Sequence, residues 1–220
     1  MKFHLIDVDM WNRKPYYTHF LNEARCTFNL TANIDITVLL DNLRDKNKKL
    51  YPALIHMTAK IVNAYPEFRT SYDEDGKLGY WESMNPSFTI FHPEDNTFSS
   101  LWTPYTEEFH AFHESYLADV GQYGKVKGLI GKKDQPANTF PISCIPWVSF
   151  TGFNLNVFNE GTYLLPIITF GKYFEQTGRV LLPVSLQLHH AVCDGYHAGL
   201  FVGELQRFAD HSKEWVDDPK

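Results

Sequence analysis

The residues of this chain best suited to do chemistry are His189-His190-Ala191-Val192-Cys193-Asp194-Gly195. Histidine, with an unperturbed pKa of ~6.5, can take and return a proton near neutral pH. A histidine fixed just after a strand, with a carboxylate four residues further on, suits a general base and its orienter. Asp194 could accept a hydrogen bond from His190, or it could bond an arginine and hold the turn; spacing alone leaves both open. Gly195 allows a tight turn or the close approach of a substrate to the backbone. The competing reading is a strand-to-helix corner with two hydrogen-bonded histidines. If the reaction is acyl transfer, a donor must also meet the developing oxyanion. Ser143, in an apolar extended segment ahead of Pro146-Trp147, offers a hydroxyl. Taken alone, it reads rather as a satisfied structural serine.

These residues must be held by the surrounding elements. The apolar run 180–188 reads as a strand leading into the motif, and 196–208 reads as a helix leaving it. Upstream, 11–20 reads as a short helix with Asp9 as its cap, and 26–36 as an alternating strand. Two amphipathic helices follow, 37–48 and 51–65, the second started by Pro52 and ended before Pro66. Short strands are expected at 68–72, 77–81, 88–92 and 97–103, with Asp73-Glu74-Asp75-Gly76 as a hairpin turn. A helix is expected at 106–123, a Gly- and Lys-rich loop at 126–138, extended chain at 142–150 and 153–156, and a strand at 166–174 before a Gln176-Thr177-Gly178 turn. Strands and helices intermingle without regular βαβ alternation. That predicts a mixed sheet with helices on one face, in a single domain over 1–220.

Composition narrows the function. The net charge is −6 with no basic block, which argues against nucleic-acid binding. No apolar run approaches a membrane span, and the N-terminus does not read as a signal peptide. The three cysteines, Cys26, Cys144 and Cys193, have no CxxC spacing. They fit a reducing cytoplasm. His189, His190 and His197 lack a second ligand cluster, so no metal site is expected. Aromatic residues at 15% fit a sheet-rich fold with an aromatic-lined cavity.

The motif does not stand alone. Trp11-Asn12-Arg13-Lys14, Ile34-Asp35-Ile36-Thr37, Tyr51-Pro52, Phe68-Arg69, Pro146-Trp147, Phe153-Asn154-Leu155-Asn156 and Pro166-Ile167-Ile168-Thr169 accompany it in order. With them, nearly the whole chain, from Phe3 to Trp215, resembles the classical trimeric chloramphenicol acetyltransferases. HHxxxDG by itself is shared with lipoyl-dependent acyltransferases and peptide-synthetase condensation domains; the combination is the specific signal. The resemblance implies an α+β fold, a two-layer sandwich whose mixed sheet has helices packed on one face and extends across subunits in a homotrimer. It implies O-acetylation of chloramphenicol by acetyl-CoA as cosubstrate, by direct transfer, with active sites at the subunit interfaces.

In that frame His190 is the general base, with its tautomer set by a backbone carbonyl. Ser143 stabilises the oxyanion, and Thr169 binds a water that contacts the intermediate. Asp194 pairs with Arg13 and supports the site without relaying charge. Phe20, Cys26, Thr89, Phe98 and Leu155 fall at acceptor-binding positions, and Tyr51, Trp147, Lys172 and Tyr173 at positions near coenzyme A. Two departures bear on the acceptor. Gly128-Leu129-Ile130-Gly131 stands where the family commonly shows an LFP-like segment, and Phe20 where some members have Tyr. The alternatives are the same fold with another hydroxylated acceptor or a lipoyl group, and a protein that binds the drug without chemistry.

Overall fold

The structure is a computed structural model that describes residues 2–157 and 163–217. The chain opens with β1 (Phe3–Leu5) and α1 (Lys14–Thr18), which runs directly into a π-helical turn, His19–Glu23. Next come β2 (Thr27–Asp35), α2 (Thr37–Asp45) and α3 (Leu50–Ala64), then a 3-10 turn, Pro66–Arg69. The middle of the chain holds β3 (Thr70–Tyr72), β4 (Leu78–Trp81), β5 (Asn85–His92), β6 (Thr97–Trp102) and α4 (Phe109–Tyr123). It finishes with β7 (Thr139–Cys144), β8 (Ile167–Phe170), β9 (Phe174–Gln176), β10 (Arg179–His189), α5 (Gly195–Asp210) and α6 (Lys213–Val216).

Several expectations shift for local reasons. The first helix starts at Lys14, not Trp11, because Pro15 suits a first turn; Asp9 bonds the Lys14 ammonium at 2.7 Å and caps nothing. Pro66 winds Phe68-Arg69 into a 3-10 turn, so the strand expected at 68–72 begins at Thr70. The strand expected at 166–174 is two strands, β8 and β9, which pair with successive stretches of β10. The turn between β9 and β10 has positive φ at both Thr177 and Gly178, the conformation of a two-residue hairpin matched to strand twist. Strand β1 was not expected.

The main sheet runs β2-β10-β8-β7-β5-β6, with β9 also on β10; β5-β7 and β7-β8 are parallel and the other pairs antiparallel. It is mixed, as expected. A second, small sheet, β1-β4-β3, lies apart from it.

Period-two alternation gives the large sheet two unlike faces. One carries Phe88, Phe140, Ile142, Ile168, Phe170, Val184, Leu186 and Leu188, all buried. At ~1.5–3 kcal/mol per fully buried large apolar side chain, this face supplies much of the folding drive. The helices cover it: α3 contacts β5, α5 contacts β2, α4 contacts β6 and α2 contacts β10. Helix α3 is apolar nearly all round, from Ala53 to Val62, because it is enclosed by α4, α5 and the sheet. The other face carries hydroxyls and amides, Asn29, Thr31, Ser143, Thr169, Ser185 and Gln187. The expected site residues Ser143, Thr169 and His190 lie on this face or at its rim.

Candidate active site

The corner after β10 is tightly held. His189 is buried, and its Nδ1 accepts the Ala191 N–H at 3.1 Å. Its carbonyl accepts the N–H groups of Val192 and Cys193 at 3.1 and 3.0 Å. His189 therefore shapes the turn that presents its neighbour. The His190 N–H donates to the Cys26 carbonyl at 2.9 Å, which ties the corner to the start of β2. Phe20, delivered by the π-helical turn, stacks on the His190 ring with centroids 3.9 Å apart and planes 8° apart. Phe28 meets the same imidazole at 5.1 Å, tilted by 56°. His190 Nδ1 is buried with no hydrogen-bond partner among the described residues, so the backbone carbonyl that the resemblance implies does not meet it here. Nε2 is the nitrogen left to meet a substrate.

Asp194 does not bond His190. Its Oδ2 takes the Arg13 guanidinium at 3.1 Å, and its Oδ1 accepts the Tyr196 N–H at 3.0 Å and meets His197 Nδ1 at 2.9 Å. It is the N-cap of α5, in a capping box with His197. Burial pushes its pKa up, but the hydrogen-bonded Arg13 guanidinium, with His197 beside it, outweighs burial and holds it below the usual carboxylate value. Of the two readings left open by spacing, the structure takes the arginine one. Sequence reasoning missed the cap role of His197; the Asp-x-x-His spacing carried it, although Glu or Gln is the usual third residue of such a box. Cys193 is buried beneath the corner, and burial pushes its thiol pKa up, which disfavours the nucleophilic thiolate.

Ser143 and Thr169 are paired in register on the parallel strands β7 and β8, with Ser143 Oγ 2.8 Å from Thr169 Oγ1. Ser143 opens into a cavity of ≈ 660 Å³ whose walls include Thr89, Phe98, Phe153, Leu155, Tyr51 and Trp147. Five of the expected binding residues, Thr89, Phe98, Leu155, Tyr51 and Trp147, thus share a cavity with the expected oxyanion donor. Lys172 and Tyr173 line a second space of ≈ 200 Å³. Tyr51, Cys144 and Pro146 wall both, so the two spaces adjoin. Cys144 is half-buried here, and desolvation pushes its thiol pKa to about 11. Phe91 and Ile145 in these walls were not singled out from the sequence, and Phe153 and Cys144 were named without a binding role; extended chain beside Ser143 was the available signal.

His190, Phe20 and Cys26 line neither space. The expected site is therefore in two parts within one chain. One is a presented base with its stacking ring, and the other is a pocket with a hydroxyl pair. Among the described residues no group of side chains could hold a metal ion.

A profile described as chloramphenicol acetyltransferase matches residues 1–206. The chain belongs to the chloramphenicol acetyltransferase family. A chloramphenicol acetyltransferase of Clostridium butyricum is 54% identical over 218 residues, covering 99% of this chain and 100% of that protein. One from Staphylococcus aureus is 46% identical over 216 residues, covering 98% and 100%. A solved chloramphenicol acetyltransferase chain of 20% identity superposes with a TM-score of 0.81 over 94% of this chain and 100% of its own; at that identity the likeness speaks to the fold. As a member of this chloramphenicol acetyltransferase family, the protein is an acyltransferase enzyme. Its α+β fold, a mixed sheet with helices on one face, is the fold of its structural neighbours.

Proposed function

We propose that this protein acetylates chloramphenicol with acetyl-CoA and so inactivates the antibiotic, working as a cytoplasmic homotrimer with its sites at subunit interfaces. The observation that carries this reading is the division of the site. His190 is presented at a rim corner, outside the cavity that holds Ser143. A second copy docked against the cavity brings one chain's imidazole to its neighbour's hydroxyl pair.

His190 Nε2 takes the proton of the acceptor's primary hydroxyl, and the oxygen attacks the thioester carbonyl. The Ser143 hydroxyl donates to the oxyanion, and Thr169, 2.8 Å away, steadies that donor and a water. When the tetrahedral intermediate collapses, the C–S bond breaks, and the imidazolium returns its proton to the departing sulfur. No covalent acetyl-enzyme is required, in keeping with the buried Cys193. Asp194 and Arg13 hold the corner. The acceptor lies against Thr89, Phe98 and Leu155, with Phe20 and Cys26 contributed beside His190. Acetyl-CoA runs past Tyr51, Trp147, Lys172 and Tyr173. The fit is chemical: Trp147 and Tyr173 expose 58% and 49% of their surface next to the exposed Lys172, a stacking and cationic edge for a phosphorylated adenine nucleotide.

The test is transfer of acetyl from acetyl-CoA to chloramphenicol by the purified protein, followed by mass spectrometry. Loss of turnover in His190→Ala is expected, and full retention of it overturns the reading. Co-refolding inactive His190→Ala and Ser143→Ala chains in equal amounts tests the division. One site in each mixed trimer then joins an intact base to an intact hydroxyl, and about one quarter of wild-type activity returns. No recovery places both groups in one chain's site.

A further inference from the structure

The segment 153–155 forms part of the cavity wall through Phe153 and Leu155, yet it belongs to no strand or helix. Among the described residues no backbone-to-backbone hydrogen bond ties Phe153, Asn154 or Leu155. Side chains of β10 hold it instead. The Ser185 hydroxyl donates to the Phe153 carbonyl at 2.7 Å, and Gln187 Oε1 accepts the Leu155 N–H at 3.2 Å. Asn29 Nδ2 on β2 donates to Ser185 Oγ at 2.8 Å, and Thr31 Oγ1 donates to Asn29 Oδ1 at 3.2 Å. Ser185 and Gln187 are only 3% and 6% exposed, so losing either partner strands polar atoms away from water.

We propose that Ser185 and Gln187 are positioning residues for the acceptor, clamping the wall segment 153–155 at a fixed height above the sheet. The register makes the clamp local to the chemistry. Ser185 pairs with Thr169 across β10 and β8, and Thr169 pairs with Ser143 across β8 and β7. The wall is thus set one strand from Thr169 and two from Ser143. Ser185 interrupts a run of Val, Leu and Pro residues in β10. In the fold it is a buried junction that spends its one proton on a wall carbonyl and receives one from Asn29.

This inference rests on the proposed acetylation of chloramphenicol, and two readouts separate the two. In Ser185→Ala, KM for chloramphenicol is expected to rise about three- to tenfold, the loss of one net hydrogen bond. KM for acetyl-CoA and the pH profile of kcat stay at wild-type values, because Ser143, His190 and the coenzyme wall are untouched. Ser185→Thr keeps the hydroxyl and restores the KM. Hydrogen exchange of the 153–157 amides, measured without substrates, is expected to quicken in Ser185→Ala and not in Ser185→Thr. If Ser185→Ala does not fold, Gln187→Leu, which cannot accept from Leu155, is read in the same way. A chloramphenicol KM within twofold of wild type, or an equal rise in both KM values, overturns the clamp while leaving the function standing. A wild-type protein that neither binds nor acetylates chloramphenicol overturns the function and, with it, the clamp's role in acceptor binding.

Discussion

Asp194 offers the sharpest separation of structure from chemistry. Neutralising it as Asp194→Asn keeps an N-cap side chain on α5, since Asn caps as well as Asp, and removes the charge facing Arg13. The pair is 3.1 Å long with side chains 14% and 36% exposed, so it lies between two limits. Breaking a fully buried pair costs roughly 3–5 kcal/mol. An exposed pair is worth about 0–1 kcal/mol. An intermediate cost of about 2 kcal/mol is expected for Asp194→Asn, and about 3 kcal/mol for Asp194→Ala, which also loses the cap. For a chain of this length that is a fall in Tm of about 4–8 °C for the asparagine variant. Urea unfolding at fixed protein concentration and pH 7 measures it, and a cycle with Arg13→Met should return about 2 kcal/mol of coupling. If Asp194 relayed charge to His190, the asparagine variant would lose ~10⁴ in kcat, as when the carboxylate of a catalytic triad is neutralised. Here the loss should fall well short of that and follow the loss of stability. A 10⁴-fold drop in kcat with unchanged unfolding would refute the assignment. The sign with pH follows from the depressed pKa: this stabilisation is complete above the ordinary carboxylate value of 3.8 and disappears as pH falls through the lower folded value.

Three further outcomes are expected. Ser143→Ala should lower kcat ~10²–10³-fold with little change in Tm, since one oxyanion donor is removed at the edge of a cavity; a kcat within threefold of wild type would remove Ser143 from the reaction. His56 is buried in α3, with Nε2 3.2 Å from the carbonyls of both Thr106 and Glu107, and burial pushes its pKa from 6.5 to about 4. Unfolding therefore takes up a proton between those values, and stability, complete above about 6.5, should decline by ~1.4 kcal/mol per pH unit below it; His56→Gln should flatten that slope in urea titrations. Gly79→Ala would drive a methyl into the His4 carbonyl and the Phe3 ring where β1 pairs with β4. Faster hydrogen exchange in residues 3–5 with little change in the main sheet would report it.

The sequence made legible what is local and periodic. The strand, corner and helix around HHAVCDG could be read from a run of apolar residues, a polar turn and a helical repeat, and β10 and α5 lie there. Alternation also marked β2, and spacing marked α2 and α3. Chain continuity hid the break between β8 and β9, because Gly171-Lys172-Tyr173 carries no stop signal strong enough to divide an apolar run. Strand β1 is three residues long and only half-covered, too short for any period to show. In the site, His190 and Ser143 could be picked out by residue type. The partners that hold them could not. Asn29 meets Ser185 from 156 residues away and Arg13 meets Asp194 from 181, distances at which residue spacing carries no geometric information. The Arg13 pairing was reached through family resemblance, and the Asn29 pairing only through the fold.

The π-helical turn His19–Glu23 sets a constraint of a different kind. A wide turn accommodates one more residue than an ordinary helical turn, and each residue of a regular helix advances the side chains by about 100°. Phe20 lies flat over His190 only because the chain is wound this way at this place. The segment should therefore tolerate exchange of letters and resist changes of length. Substituting exposed Asn22 leaves the ring where it is, whereas deleting Asn22 lets the turn tighten and swings the ring off the imidazole. Here the number of residues, apart from their identity, carries information that the base depends on.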